Sequence, residues 1–117
     1  MDKITISDAV KKRIEDKIKG PAKLLLSYND GVGPYSKVGS CSIGTAFDII
    51  AVKPDEKTPD YGGKLDSDLG TFYYKPYSAR YLDKGLKLDV GSFNQINLSG
   101  EGGVIDGSVN IIDDRNN

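Results

Sequence analysis

The chain has 117 residues, 38% of them hydrophobic and 28% charged, which is the composition of a folding chain rather than a disordered one and enough for one domain spanning 1–117. Lys and Arg number 16 against 17 Asp and Glu, a net charge of -1, so there is no electrostatic footprint for nucleic acid or an anionic membrane. Histidine is absent, which excludes Ser-His-Asp and Cys-His catalysis and His-zinc sites built from this chain alone.

The N-terminal residues Met1 to Ile6 lack the apolar core of a signal peptide, and the single cysteine makes no internal disulfide, so a reducing cytoplasm is the expected location. The longest apolar runs, such as Leu24-Leu25-Leu26, fall far short of the roughly 20 residues a bilayer requires. No membrane span is expected. Ile4 and Ile6 alternate with Lys3 and Thr5 as a short strand ending at Ser7, a helix N-cap residue. Val10, Ile14 and Ile18 then recur every four residues until Gly20-Pro21, predicting a helix over 7–19 with one buried face and a solvated, mixed-charge face. Residues 22–28 read as a strand entering the turn Asn29-Asp30-Gly31. Four glycines and Pro34 make 29–44 a long loop or loose hairpin, and loops of that length tend to be functional.

Residues 45–52 are apolar on both faces beyond Asp48 and read as the central strand. Residues 53–67, with two prolines, two glycines and no apolar periodicity, read as a polar excursion. Asp66-Ser67-Asp68-Leu69-Gly70 resembles the start of a calcium loop but lacks the later ligand positions. A strand over 70–74 follows, then a short helical turn near residues 76–82 with Pro76 at its start. Tyr73, Tyr74, Tyr77 and Tyr81 read as core and edge packing rather than a base-stacking platform, because little basic charge is interleaved with them. Residues 86–90 and 95–98 alternate about Gly91-Ser92 as a hairpin, 99–107 form a glycine-rich turn, and Val109 and Ile111 mark a last strand before a frayed tail at 113–117. No glycine group follows a strand and opens a helix as a phosphate-binding loop needs, so nucleotide binding has no support in the sequence.

One helix followed by about seven short strands implies an α+β, mainly β domain, a small antiparallel sandwich or barrel. Gly39-Ser40-Cys41-Ser42-Ile43-Gly44 leading into Phe47-Asp48-Ile49-Ile50, then Leu82-Asp83, Leu86 to Val90 and the turn Gly102 to Gly107, resemble the HesB-like core domain of A-type iron–sulfur carrier and assembly proteins. The resemblance runs over 4–112, is weakest at 53–67, and is strongest to a divergent Gram-positive branch.

The resemblance implies an antiparallel HesB-like sandwich or barrel and a non-enzymatic role in iron–sulfur cluster biosynthesis, with assembly proteins as partners and a homodimer as one oligomeric state. It implies Cys41 as the cluster or metal ligand, with Ser40, Ser42 and Gly103 as flanking loop positions. Family members carry a further Cys-Gly-Cys near the C-terminus. The corresponding turn here reads Gly100-Glu101-Gly102-Gly103-Val104-Ile105-Asp106-Gly107, which leaves Glu101 and Asp106 as substitute donors. Because a cluster takes four ligands, mostly thiolates, no stably bound cofactor is expected, only iron or a cluster held transiently with external thiols such as glutathione. The alternative is a protein-interaction or small-ligand module on the same scaffold with no metal, in which Cys41 is a small packed hydrophobe. Cysteine catalysis has only Lys37 nearby to activate the thiolate. If the resemblance holds, the 29–44 loop and the 100–107 turn approach each other.

Overall fold

Ser7 ends the first strand and begins the helix, its side chain accepting a hydrogen bond from Val10 N–H at the N-cap. In the computed structural model, which describes residues 3–29 and 46–115, β1 (Ile4–Ile6) runs into α1 (Asp8–Lys17). The four-residue stripe of Val10, Ile14 and Ile18 is buried, and Gly20, at φ +86°, ends the segment in the left-handed region open to glycine. There follow β2 (Lys23–Tyr28), β3 (Phe47–Val52), β4 (Gly63–Ser67), β5 (Gly70–Tyr74), a 3-10 helix (Pro76–Tyr81), β6 (Leu86–Val90), β7 (Ile96–Gly100), β8 (Gly103–Asp106) and β9 (Asn110–Asp113).

The strands form two sheets, ordered β1-β6-β7-β8 and β4-β5-β2-β3-β9. Their inner faces and α1 share one apolar core, to which β2 contributes Leu24 and Leu26, β3 Phe47, Ile49 and Ala51, and β6 Leu86 and Leu88. The alternate residues of β2 and β3 are apolar too: Leu25, Ile50 and Val52 pack with Tyr61 on the outer face of the larger sheet. β3 is therefore buried at every position, which accounts for its unbroken apolar reading.

The α+β, mainly β class is as expected, with three corrections to its detail. The sheets are mixed rather than antiparallel, because β1–β6, β2–β5 and β3–β9 pair in parallel, and they do not close into a barrel. Among the described residues, an isolated parallel bridge joins Lys3, just before β1, to Asp66 of β4. The middle place in the larger sheet belongs to β2, with β3 beside it.

Two segments read as irregular hold strands. Within 53–67, β4 is an edge strand whose one inward residue, Leu65, is fully buried between exposed Lys64 and Asp66. The calcium-like Asp66 to Gly70 is the hairpin turn from β4 to β5, with Ser67 Oγ donating to Gly70 C=O and accepting from Leu69 N–H, and Asp68 bonded to Lys11 at 2.7 Å. Within 99–107, β8 pairs with β7 across a register shift at Leu98/Ser99. The expected frayed tail is anchored as far as it is described: Asp113 closes β9, and Arg115 pairs with Asp113 and donates to the carbonyls of Lys19 and Pro21. Residues 116–117 lie outside the described residues.

Candidate functional site

β2 and β3 pair in register from Lys23 opposite Val52 to Tyr28 opposite Phe47. Asn29 N–H donates to Ala46 C=O at 2.8 Å beyond the last pair, so the two ends of the 30–45 segment stand side by side. Ser40, Cys41 and Ser42 belong to that segment and lie outside the described residues. On the core side of its base, the Tyr28 ring lies 5.4 Å from Phe47 and 4.6 Å from Tyr81. Tyr81 packs, as expected. Tyr74 is buried, Tyr73 lies under the Lys23 ammonium at 4.6 Å, and Tyr77 is exposed, an arrangement that offers no continuous stacking face.

The outer side of the same base is polar and buried, and the sequence reading missed it. Ser27 stands directly opposite Asp48, and the Ser27 and Tyr61 hydroxyls share a hydrogen bond of 2.7 Å. Asp48 is 4% exposed and Lys75 3%. Asn29 donates to Asp48 at 3.5 Å, and the Lys75 ammonium sits 5.6 Å from the Tyr61 ring centre and 5.8 Å from that of Tyr77. Burial of a carboxylate or ammonium is costly unless each is paired, and none of these residues lacks a partner. The one signal in the sequence was Asp48 itself, a lone acid inside an apolar strand.

The glycine-rich turn is bonded to the start of β3. Asp106, at the end of β8, accepts from Phe47 N–H through Oδ2 at 2.9 Å and from Ser108 N–H through Oδ1 at 3.0 Å. Phe47 is two residues beyond the 30–45 segment, so the glycine-rich turn is fastened to its exit. Glu101 lies in the turn before β8, its N–H bonded to Lys84 C=O at 2.9 Å, and the strand between them spans about 10 Å at 3.3 Å per residue. Glu101 and Asp106 are not brought together. Gly103 takes φ +121° in the β7–β8 turn, where an added Cβ would meet nothing within 4 Å. The requirement there is conformational, not steric.

The β7–β8 turn is latched from outside by Asp83. Its Oδ2 accepts from Gly102 N–H at 2.8 Å and its Oδ1 from Lys84 N–H at 2.8 Å, while a Cβ on Gly100 would stand 2.6 Å from the Asp83 Cβ. The Gly102 N–H first, then that of Lys84, holds the Asp83 carboxyl below its ordinary value of 3.8. A depressed folded-state value means the latch contributes fully above the unfolded-state value and is lost as pH falls through the folded one. The expected result is that urea midpoints of the wild type fall more steeply below about pH 4 than those of Asp83→Asn. Equal slopes would show that the latch is not titrating.

Among the described residues no group of three or more His, Cys, Asp or Glu is placed to hold a metal ion. No described helix is long and apolar enough to cross a membrane.

The family described as iron-sulphur cluster biosynthesis matches residues 2–113. A crystal structure of a protein from Lactobacillus salivarius, provisionally assigned to Fe-S biosynthesis, is 37% identical over 97% of this chain and 98% of its own, with a TM-score of 0.81. Another, from Lactobacillus acidophilus and assigned in the same way, is 25% identical over 95% of this chain and 89% of its own, with a TM-score of 0.75. No curated protein matches the chain. On the near full-length family match and the 37% identity, the chain belongs to the iron-sulphur cluster biosynthesis family, the HesB-like family its sequence resembles.

Proposed function

We propose that this protein serves iron–sulphur cluster biosynthesis as a non-enzymatic, cytoplasmic, carrier-like accessory with a degenerate site, taking iron or a cluster as transient cargo from assembly proteins. The family carries the general role. The observation that supports the finer reading is the bond from Phe47 N–H to Asp106, which ties the exit of the Cys41 segment to the turn where family members supply their remaining cysteines.

Cys41 is the one thiol, and its thiolate is the soft donor that iron prefers. A cluster takes four ligands, so two copies of the chain supply half of them and external thiols supply the rest. Ser40, Ser42 and Gly103 flank the cargo in this reading. Asp106 keeps lone pairs beyond its two backbone bonds and, of the two carboxylates, is the one bonded to the exit of the Cys41 segment, while Glu101 lies in the β7–β8 turn. Borrowed ligands suit a carrier, because cargo held by exchangeable thiols leaves readily.

The test is anaerobic reconstitution of the purified protein with iron and sulfide, with and without glutathione, read by visible absorption and bound iron against Cys41→Ser. A chromophore that requires both glutathione and Cys41 is the expected result. No chromophore in either condition, or an equal one in Cys41→Ser, overturns the carrier reading in favour of the metal-free interaction module.

A further inference from the structure

β9 is the terminal strand of the larger sheet, and among the described residues no strand pairs with its outer edge. Asp114 N–H donates to Ala51 C=O on β3. Backbone groups alternate along a strand, so Asn110 and Ile112 also face β3, while Ile111 and Asp113 direct their N–H and C=O groups outward. Val109 fits the same alternation, since its N–H points away from β3 to Ile96 C=O at 3.0 Å. An open groove of about 450 Å³ lies against this edge, with Ile96, Val109 and Ile111 as its apolar floor and Arg13, Asp16 and Lys17 of α1 as its rim.

Three features suit this groove to an extended chain. An edge with unused backbone groups is a template for strand addition; of the other terminal strands, β1 and β4 are linked by the Lys3–Asp66 bridge and β8 is broken by the register shift at Leu98/Ser99. The rim carries two cations to one acid on a chain of net charge -1. Arg13 also donates through Nη1 to Asn94 C=O at 2.7 Å, which ties the β6–β7 hairpin tip to α1 and leaves the other guanidinium donors for a carboxylate. That tip carries Phe93, 91% exposed, on a turn braced by Phe93 N–H to Gln95 Oε1 and Gly91 N–H to Gln95 C=O.

We infer that the α1–β9 groove binds an extended segment of a partner protein, added as a further strand on β9, with an acidic side chain on Arg13 and Lys17 and an apolar one over Ile96, Val109 and Ile111. This surface does not depend on Cys41 or on any cargo, so it stands or falls separately from the carrier reading.

The test is amide-resolved NMR titration of the full chain with three acetylated, amidated pentapeptides: Val-Glu-Val-Glu-Val, its lysine counterpart, and Val-Glu-Pro-Glu-Val, whose proline removes a ladder donor. The glutamate peptide is expected to shift the amides of Ile111 and Asp113 and to bind about tenfold more tightly than the lysine peptide, as two rim charge pairs would give. The proline peptide should bind weakly, and Arg13→Glu with Lys17→Glu should reverse the charge preference. Equal binding of the proline or lysine peptide, shifts confined to β8, or no shift at millimolar peptide would overturn the inference. So would β9 amides that move on dilution without peptide, which would make a second copy of this chain the occupant.

Discussion

Phe47→Ala is expected to destabilise the fold by about 3–5 kcal/mol, the range for removing a buried aromatic side chain. The Phe47 ring is fully buried in the main core and packs 5.4 Å from Tyr28. Relaxation into the space is restricted because β3 is held on one side by β2 and on the other by β9, while the Phe47 N–H is fixed by Asp106. Interiors this constrained keep most of the cavity they are given. Urea unfolding at neutral pH reads the loss directly, and Phe47→Leu gives a graded version should the alanine variant fail to fold. A loss under about 1 kcal/mol for the alanine variant would mean that the base of the 30–45 segment collapses freely. The buried ring would then not be what holds the two ends of the 30–45 segment together.

Asp106→Ala should cost about 1–3 kcal/mol, because it strips the acceptor from two backbone N–H groups, one of them at the partly buried start of β3. Asp106→Asn, which keeps one carbonyl oxygen, should fall between wild type and alanine. Glu101→Ala, at an exposed position, should stay within about 0.5 kcal/mol. Denaturant midpoints of the three variants rank the effects, and iron content after reconstitution separates two roles for the same carboxylate. A stable Asp106→Asn that loses cargo points to a ligand, and one that loses stability while keeping cargo points to a fastening. An Asp106→Ala protein as stable as wild type would show that the bond to Phe47 N–H is not holding the turn.

Several elements were legible because local chemistry and tertiary packing demand the same thing of them. Ser7 caps α1 whether or not anything packs on it, and the Val10, Ile14, Ile18 stripe names its buried face without reference to the partner. The 3-10 helix Pro76–Tyr81 was visible in Pro76 at its start. The hairpin of β6 and β7 was visible in Gly91-Ser92 between two alternating runs. The lone thiol and the lost Cys-Gly-Cys were also plain, since they are matters of composition.

What escaped has a common cause. β4 shows a single buried side chain, Leu65, and β8 shows two exposed residues followed by two half-buried ones. Neither carries enough apolar residues at alternate positions to mark a strand in the sequence, and both exist because a hairpin partner supplies the backbone bonds. Parallel pairing is equally silent in short strands, because the direction of a neighbour leaves no mark on side-chain periodicity.

The residues alone therefore determined the class, the helix and its face and most of the strands, which follow from spacing and side-chain chemistry, together with the family resemblance and the single thiol. Only the tertiary structure decided that Asp106 fastens Phe47, that Glu101 stands a strand's length away, and that Asp48 and Lys75 are buried beside Ser27 and Tyr61 at one base. These are meetings between residues far apart in the chain. They are fixed by sheet order and register, which no stretch of sequence encodes by itself.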